Sequence, residues 1–284
     1  PGVTRVERFF FPIYEDSPRG RLLLYSGATL YQWLAGRFSV GKSRLHGIPE
    51  VIQAFPGLNP NGLRGAVSYC DVVMNDECLA QKLVAEAKYC GVSLHEHTPI
   101  SRIETTGFLD INGTLQKFDH VINAGGPWAS SLLERSGISS AFELEHVRGS
   151  HLILKADLKH ALVFQIAADQ RIVFAIPIGQ GRTLFGTTEH AHNLAEPIVC
   201  SDQEVDYLLA IYNQYMTHQI DRTDIEFTYS GVRPIVRRRS ESLSNMSAAS
   251  RDSEIEIIDP LINVFGGKWT SARRLGSKVA ALID

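Results

Sequence analysis

Apolar and polar positions recur with two different periods along this chain, and the changes of period mark its elements. From Asn75 the run NDECLAQKLVAEAKYCG sets Leu79, Leu83 and Ala87 four residues apart, with acids in the first turn and Gly91 at the end. That spacing predicts a helix with Asn75 or Asp76 as its N-cap. The period then drops to two. VSLHEHTPISRIETT and LDINGTLQKFDHVINAGG place Val92 and Leu94, then Ile100 and Ile103, among turn residues that include Asn112-Gly113, so strand, hairpin and strand are expected to follow the helix. WASSLLERSG resumes helical spacing and stops at Gly137. The segment from about 75 to 137 therefore reads as part of an α/β layer.

From about 144 to 190 the pattern becomes one of short strands. HLILK, ALVFQI, RIVFAIPI and TLFGTT follow one another at near-regular intervals, as in an antiparallel sheet. Asp202 opens a second helix through about Met216, with Val205, Leu208, Leu209 and Tyr212 on its apolar face. DIEFTYSGV and EIEIID are strand-like and flank a basic, Ser-rich run, Arg237 to Ser253, expected as an exposed loop. LINVFGGKWTSARRLGSKVAALID then reads as strand, glycine turn and helix, with Leu275, Val279 and Leu282 on one helical face. A β-rich insert thus separates two α/β patches.

Composition narrows the class. The chain has 284 residues, 44% apolar and 21% charged, with a formal net charge of −3. That is material for one large domain or two of ordinary size, and it disfavours disordered, collagenous and strongly nucleic-acid-binding proteins. No apolar run approaches the roughly 18 residues needed to cross a bilayer. Cys70, Cys78, Cys90 and Cys200 show no CxxC spacing and are too sparse for a disulfide framework, which points to a reducing compartment. The chain starts at Pro1 with no signal peptide, as expected of a processed chain or of a piece of something longer.

Several motifs are candidates for chemistry. GRFSVGKS, Gly36 to Ser43, has the letters of a phosphate loop, but ATLYQWLA before it has helical rather than strand spacing, so a basic surface turn is expected. The pairs His95/His97 and His190/His192 have the spacing of one strand face yet lack further ligands, and read as surface residues. Ser150 has no strand-to-helix glycine elbow. VINAGGPWA, Val121 to Ala129, carries more: an apolar strand ends in small residues and Pro127 begins a helix, which leaves backbone amides open to a cofactor's polar groups, although helix packing also selects small residues there. FGGKWTSAR, Phe265 to Arg273, repeats that design and adds Lys268. Arg233 sits between Gly231 and Pro234 on a stiffened backbone, suited to bidentate capture of a phosphate or carboxylate. His151 stands at the entry of a strand after Arg148 and Gly149, where an imidazole would face a cleft or pack as a strand residue.

In order, GLRGAVSYCDVVMND, VINAGGPWA, VRGSHLIL, IPIGQGRTLFGTTEH, YSGVRPIV and FGGKWTSAR resemble the FAD-dependent glycerol-3-phosphate dehydrogenases of the D-amino-acid-oxidase-like superfamily. GVRP followed by GGKWT is the specific pairing, and the likeness covers most of residues 60 to 275. It implies a partial FAD-binding α/β domain interleaved with an antiparallel-sheet substrate domain: 1–70 as a substrate-domain and helical lead-in, 71–140 and 251–284 as parts of the FAD domain, and 141–250 as the substrate domain. The family's opening GxGxxG turn and the acidic residue after it are absent, and Glu189 stands in GTTEH where the family usually has Asp. The chain is therefore expected to be the middle of a longer flavoenzyme.

The resemblance further implies oxidation of sn-glycerol 3-phosphate to dihydroxyacetone phosphate, with a hydride passing to flavin N5. Arg233 is assigned to the phosphate, Lys268 to substrate and flavin charge, and His151 to the hydroxyl proton, with Lys268 as the other candidate base. Ala124, Gly125, Gly126 and Trp128, then Gly266, Gly267, Lys268, Trp269 and Thr270, are expected to line the FAD, and Ile100 to meet its adenine. Electrons would leave to a quinone or to oxygen, from a cytoplasmic enzyme peripheral to the inner membrane, where Arg237 to Arg239 would touch anionic lipid. Two rival readings use the same residues: a related flavin oxidase of an amino acid or 2-hydroxy acid, and a flavin-free binding or regulatory module.

Overall fold

The computed structural model describes residues 2–240 and 253–283. In chain order its elements are β1 (Thr4–Tyr14), α1 (Arg21–Ala35), β2 (Arg44–His46), α2 (Ile48–Ala54), β3 (Leu63–Met74), α3 (Asp76–Tyr89), β4 (Ile100–Ile103), β5 (Phe108–Ile111), β6 (Thr114–Lys117), β7 (Val121–Asn123), α4 (Ala129–Arg135), β8 (Phe142–Leu154), β9 (Ala161–Gln165), β10 (Ile172–Gly179), β11 (Arg182–Gly186), β12 (His190–Ala191), α5 (Asp202–Tyr215), β13 (Ile225–Arg238), β14 (Ser253–Ile258), β15 (Leu261–Gly266) and α6 (Ala272–Ala280). The fold is mixed α/β and α+β, as the two periods predict. Contacts gather it into two compact units, one from Pro1–Lys82, Gly149–Glu189 and Ile198–Gly231, the other from Leu83–Arg148, His190–Pro197 and Val232–Asp284.

In the first unit the strands lie in the order β8-β11-β10-β9-β1-β3-β2. All neighbours are antiparallel except β1 and β9, which run parallel with Phe9 opposite Ala161 and Phe10 opposite Leu162. The period-two pattern did not reveal β1. Its two faces are both apolar, Phe10 and Tyr14 entering one core cluster and Phe9 another, so no alternation is visible. One sheet face, with Phe10, Leu152, Leu162, Phe164 and Phe185, packs on Val205, Leu208, Tyr212 and Tyr215 of α5. The rings of Phe164 and Tyr215 stack with centroids 4.7 Å apart.

The start of α5 is held by a buried carboxylate. Ser201 accepts a hydrogen bond from the Glu204 amide while Glu204 accepts one from the Ser201 amide, a capping box. Glu204 has no exposed surface and also accepts from Ser150 Oγ at 2.7 Å, Thr188 Oγ1 at 2.6 Å and Ser201 Oγ at 2.9 Å. Burial by itself would raise this carboxyl, but the hydrogen bonds from Thr188, the Ser201 backbone and Ser150 outweigh burial and hold it down at about 2.

The second unit contains two three-stranded sheets, β14-β15-β7 and β4-β5-β6. Asn112 and Gly113, at φ 54° and 81°, make the predicted hairpin turn between β5 and β6. Ile103, Val121, Leu133, Phe142, Leu261 and Phe265 form its core. The helix expected from Asn75 is α3, and the Asn75 side chain accepts from the Cys78 amide at 2.9 Å.

Four expectations are corrected. No strand forms over VSLHEHTP: Val92 and Leu94 are exposed and His97 has φ 54°, which takes the backbone out of the extended region, so His95 and His97 share no strand face. His151 is not at a strand entry but within the 13-residue β8. His192 is buried, its amide donating to the His146 carbonyl, rather than a surface residue. Arg237 and Arg238 belong to β13, not to a loop; residues 241–252 of that expected loop lie outside the described residues. Arg237 pairs with Glu143 and Glu145, Arg239 with Glu143, and the Arg238 guanidinium lies 4.8 Å from the Phe142 ring centroid, so this run is already engaged by its own unit. Among the described residues no helix is long and apolar enough to cross a membrane.

Because the folded-state Glu204 carboxyl sits at about 2 against an ordinary value of 4.5, its stabilisation is complete above about pH 5 and is lost as pH falls from there through about 2. Urea unfolding of the wild type should therefore lose up to about 3 kcal/mol more than Glu204→Gln between those limits. Equal pH slopes would exclude an ionised Glu204 as the cause.

Candidate active site

The two glycine motifs fold into neighbouring turns. β7 and β15 are parallel and in register, Val121 opposite Leu261 and Asn123 opposite Asn263, and both strands run toward a glycine turn followed by a 3-10 turn and a helix. In open parallel sheets the crevice beyond such strand ends is where ligands bind. Ala124, Gly125 and Gly267 through Thr270 are exposed there. Gly126, Gly266 and Gly267 have φ of 55°, 66° and 102°, a region that side chains strain to enter. Open space surrounds the position a Cβ would take on Gly126.

A pair of buried asparagines fixes these turns. Asn123 Nδ2 donates to Asn263 Oδ1 at 3.1 Å and to the Ala129 carbonyl at 3.1 Å, and Asn123 Oδ1 accepts from the Gly125 amide at 3.3 Å. Asn263 Nδ2 reaches Glu256 Oε2 at 3.4 Å. One side chain therefore ties a strand end, its glycine turn, the start of α4 and the adjacent strand. His146 adds a bond from Nε2 to the Pro127 carbonyl at 2.8 Å, within the first turn. None of these three residues was singled out by motif. The Asn pair did leave a trace, since each closes an apolar Ile-Asn step shortly before glycine; His146 on β8 left none.

The remaining candidates are placed as follows. Lys268 is exposed on extended backbone (φ −119°, ψ 147°) where the second 3-10 turn begins, and Trp128 and Trp269 are exposed beside their turns. Arg233 is exposed on β13, and Ile100 opens β4 opposite Ile111, packed against the core. These belong to the second unit and His151 to the first. The His151 ring lies nearly parallel to that of Tyr229, 4.9 Å away at 12°. Gly186 is its cross-strand partner, and a Cβ there would come within 2.6 Å of His151 Cδ2, so the position needs glycine. Burial, and then the Asp76 charge, raise the Tyr229 phenol, which keeps it protonated at neutral pH.

The second-unit turns fit a flavin nucleotide: two open backbone segments side by side, with a cation and two indole rings. The Asn123–Asn263 bond should show as coupling. Asn123→Ala and Asn263→Ala should each cost about 1–3 kcal/mol in chemical denaturation, and the double variant less than their sum. Strict additivity would mean that the two amides act independently.

The FAD dependent oxidoreductase family, DAO, matches residues 13–277. The aerobic glycerol-3-phosphate dehydrogenase of Bacillus subtilis is 28% identical, across 100% of this chain and 53% of its own length. The D-erythritol 1-phosphate dehydrogenase of Brucella abortus is also 28% identical, across 98% of this chain and 57% of its own. The chain thus spans about half the length of the curated relatives it matches. A crystal structure of the glycerol-3-phosphate dehydrogenase from Bacillus halodurans complexed with FAD superposes with a TM-score of 0.78 at 23% identity, covering 100% of this chain and 52% of that one, and so shares its fold. With a match from the first core strand to the last helix, the chain belongs to the DAO family of FAD dependent oxidoreductases.

Proposed function

We propose that this chain supplies cofactor- and substrate-contacting residues of an FAD-dependent enzyme that oxidises sn-glycerol 3-phosphate to dihydroxyacetone phosphate. The observation that carries this reading is the pair of open turns, Ala124–Gly126 and Gly266–Gly267, set side by side by the Asn123–Asn263 register and followed at once by Lys268. Bound FAD would supply a hydride acceptor at its N5 position. Ala124, Gly125, Gly126 and Trp128 would hold it from one turn, and Gly266, Gly267, Lys268, Trp269 and Thr270 from the other, with Ile100 toward the adenine.

The side chains of this chain supply the rest of the chemistry. Arg233 is planar and permanently charged, which suits bidentate capture of the substrate phosphate. His151, lying flat along Tyr229, takes the proton of the secondary hydroxyl. Lys268 offsets the negative charge that develops as that oxygen is deprotonated. The electron acceptor in this reading is a membrane quinone, with oxygen as the other acceptor, and the enzyme works at the cytoplasmic face of the inner membrane. The Brucella relative's name supports a second reading in which the substrate is a longer phosphorylated polyol; the same Arg233 serves both, and a panel of polyol phosphates separates them.

Visible flavin absorbance is expected of a protein that carries these turns together with the family's GxGxxG turn, and such a protein staying colourless with added FAD would defeat the reading. In the full-length enzyme Arg233→Ala should raise the KM for glycerol 3-phosphate about 10- to 100-fold, and an unchanged KM would remove it from the phosphate. His151→Asn should lower kcat by about 10²–10⁴ and alter its pH profile; wild-type kinetics would exclude it as the base.

A further inference from the structure

β8 and β13 are paired strands, and within one two-residue step their side chains meet twice. Ser150 on β8 and Ser230 on β13 are joined through their hydroxyl oxygens at 2.7 Å. The residues beside them, His151 and Tyr229, stack with ring centroids 4.9 Å apart. Successive side chains of a strand point to opposite faces, so the serine bond lies on the face toward α5 and the ring pair on the other. Tyr229 is 46% exposed, and a ring contact this open to water is weak against the rotamer freedom of the two side chains that make it. The alignment of the rings therefore depends on what lies beneath them.

The hidden face ends on a buried charge. Glu204 Oε1 accepts from Ser150 Oγ and Thr188 Oγ1, and its Oε2 accepts from the Ser201 amide and hydroxyl. Only a carboxylate can accept at both oxygens, because a carboxamide would set an N–H group against one pair of donors. These bonds keep Glu204 ionised at neutral pH. With no proton on Glu204, Ser150 must donate its own to the carboxylate, and the Ser230 hydroxyl must donate to Ser150. The order of donation is thus fixed from Ser230 through Ser150 to Glu204. Main-chain bonds hold Ser150 as well: its amide donates to Thr188 Oγ1 at 2.9 Å, and its carbonyl accepts from the Thr188 amide at 3.2 Å. Every polar group of the residue next to His151 is engaged.

We propose that Glu204, acting through Ser150 and Ser230, is a positioning residue for His151: the buried carboxylate sets β13 against β8, and that alignment seats the Tyr229 ring on the imidazole. Glu204 has no exposed surface, so it acts from beneath the sheet. Gly186 completes the seat, since a Cβ there would meet both His151 Cδ2 at 2.6 Å and the Ser150 carbonyl at 2.9 Å. The inference rests on the proposed function in one respect, that His151 takes the hydroxyl proton. A reacting group misplaced by about 1 Å can cost on the order of 10²-fold in rate, which gives a hydrogen bond on the far face of the sheet a kinetic consequence.

NMR of the full-length enzyme carrying isotope-labelled histidine, together with its kinetics, tests the proposal. The His151 ring protons, identified by their loss in His151→Asn, should resonate upfield under the Tyr229 ring current, and Tyr229→Leu should cancel that displacement. Ser230→Ala should cancel it too and lower kcat about 10- to 100-fold. Its KM for glycerol 3-phosphate should stay near the wild-type value, because Arg233 is assigned to the phosphate. Ser230→Thr, which retains the hydroxyl, should keep both the upfield signals and kcat. Glu204→Gln should move the signals as Ser230→Ala does, and the Ser230 pair decides even where loss of the buried carboxylate prevents folding. The proposal is overturned if Ser230→Ala leaves the His151 signals in place, if KM rises as kcat falls, or if Ser230→Thr behaves like Ser230→Ala. Wild-type kcat in His151→Asn is the separate failure of the base assignment, and the ring signals then still decide whether Glu204 places the imidazole.

Discussion

A buried amide leaves little freedom to its surroundings. Asn123 and Asn263 lie at matching positions of two parallel strands, almost without exposed surface, and the bond between them is what lets both be buried. A slip of either strand by one residue would bring an apolar neighbour against an unsatisfied amide, a loss comparable to the whole net worth of the hydrogen bond. The register of β7 and β15 is therefore specified by polarity, while Val121, Leu261 and Phe265 supply the burial. Everything downstream inherits that register: the Gly125 amide is held by Asn123 Oδ1, the first residue of α4 by Asn123 Nδ2, and Asn263 extends the network to Glu256. Glu256 in turn accepts the Ala141 amide at 2.7 Å, immediately before β8.

What was legible in the sequence follows from how much of each signal is local. α3, α5, α6 and the Asn112-Gly113 hairpin depend on spacing, caps and turn residues within about fifteen positions, and each lies where its pattern put it. β1 was illegible because burial on both faces erases alternation, and its parallel partner β9 lies about 150 residues away. The absent strand over VSLHEHTP shows the converse, an alternation that found no neighbour to pair with. At the site, glycines, Lys268 and tryptophans were readable as local motifs. The Asn123–Asn263 bond was not, because it joins residues 140 apart and hydrogen-bond partners carry no period. Nor could any motif say that Gly186 is required by the His151 ring, a cross-strand constraint visible only once the register is known.

The basic residues illustrate why a count of charge is a weak guide. Arg237, Arg238 and Arg239 form the densest cationic run in the described chain, yet two acids of β8 and the ring of Phe142 take up all three. Two carboxylates offset two of the three positive charges, and the third lies over an aromatic ring. The cations around α1 are sparser in sequence but have no acid among them over 33 residues, so their fields add rather than cancel. The Asn-linked turns, by contrast, are held by hydrogen bonds within their own unit.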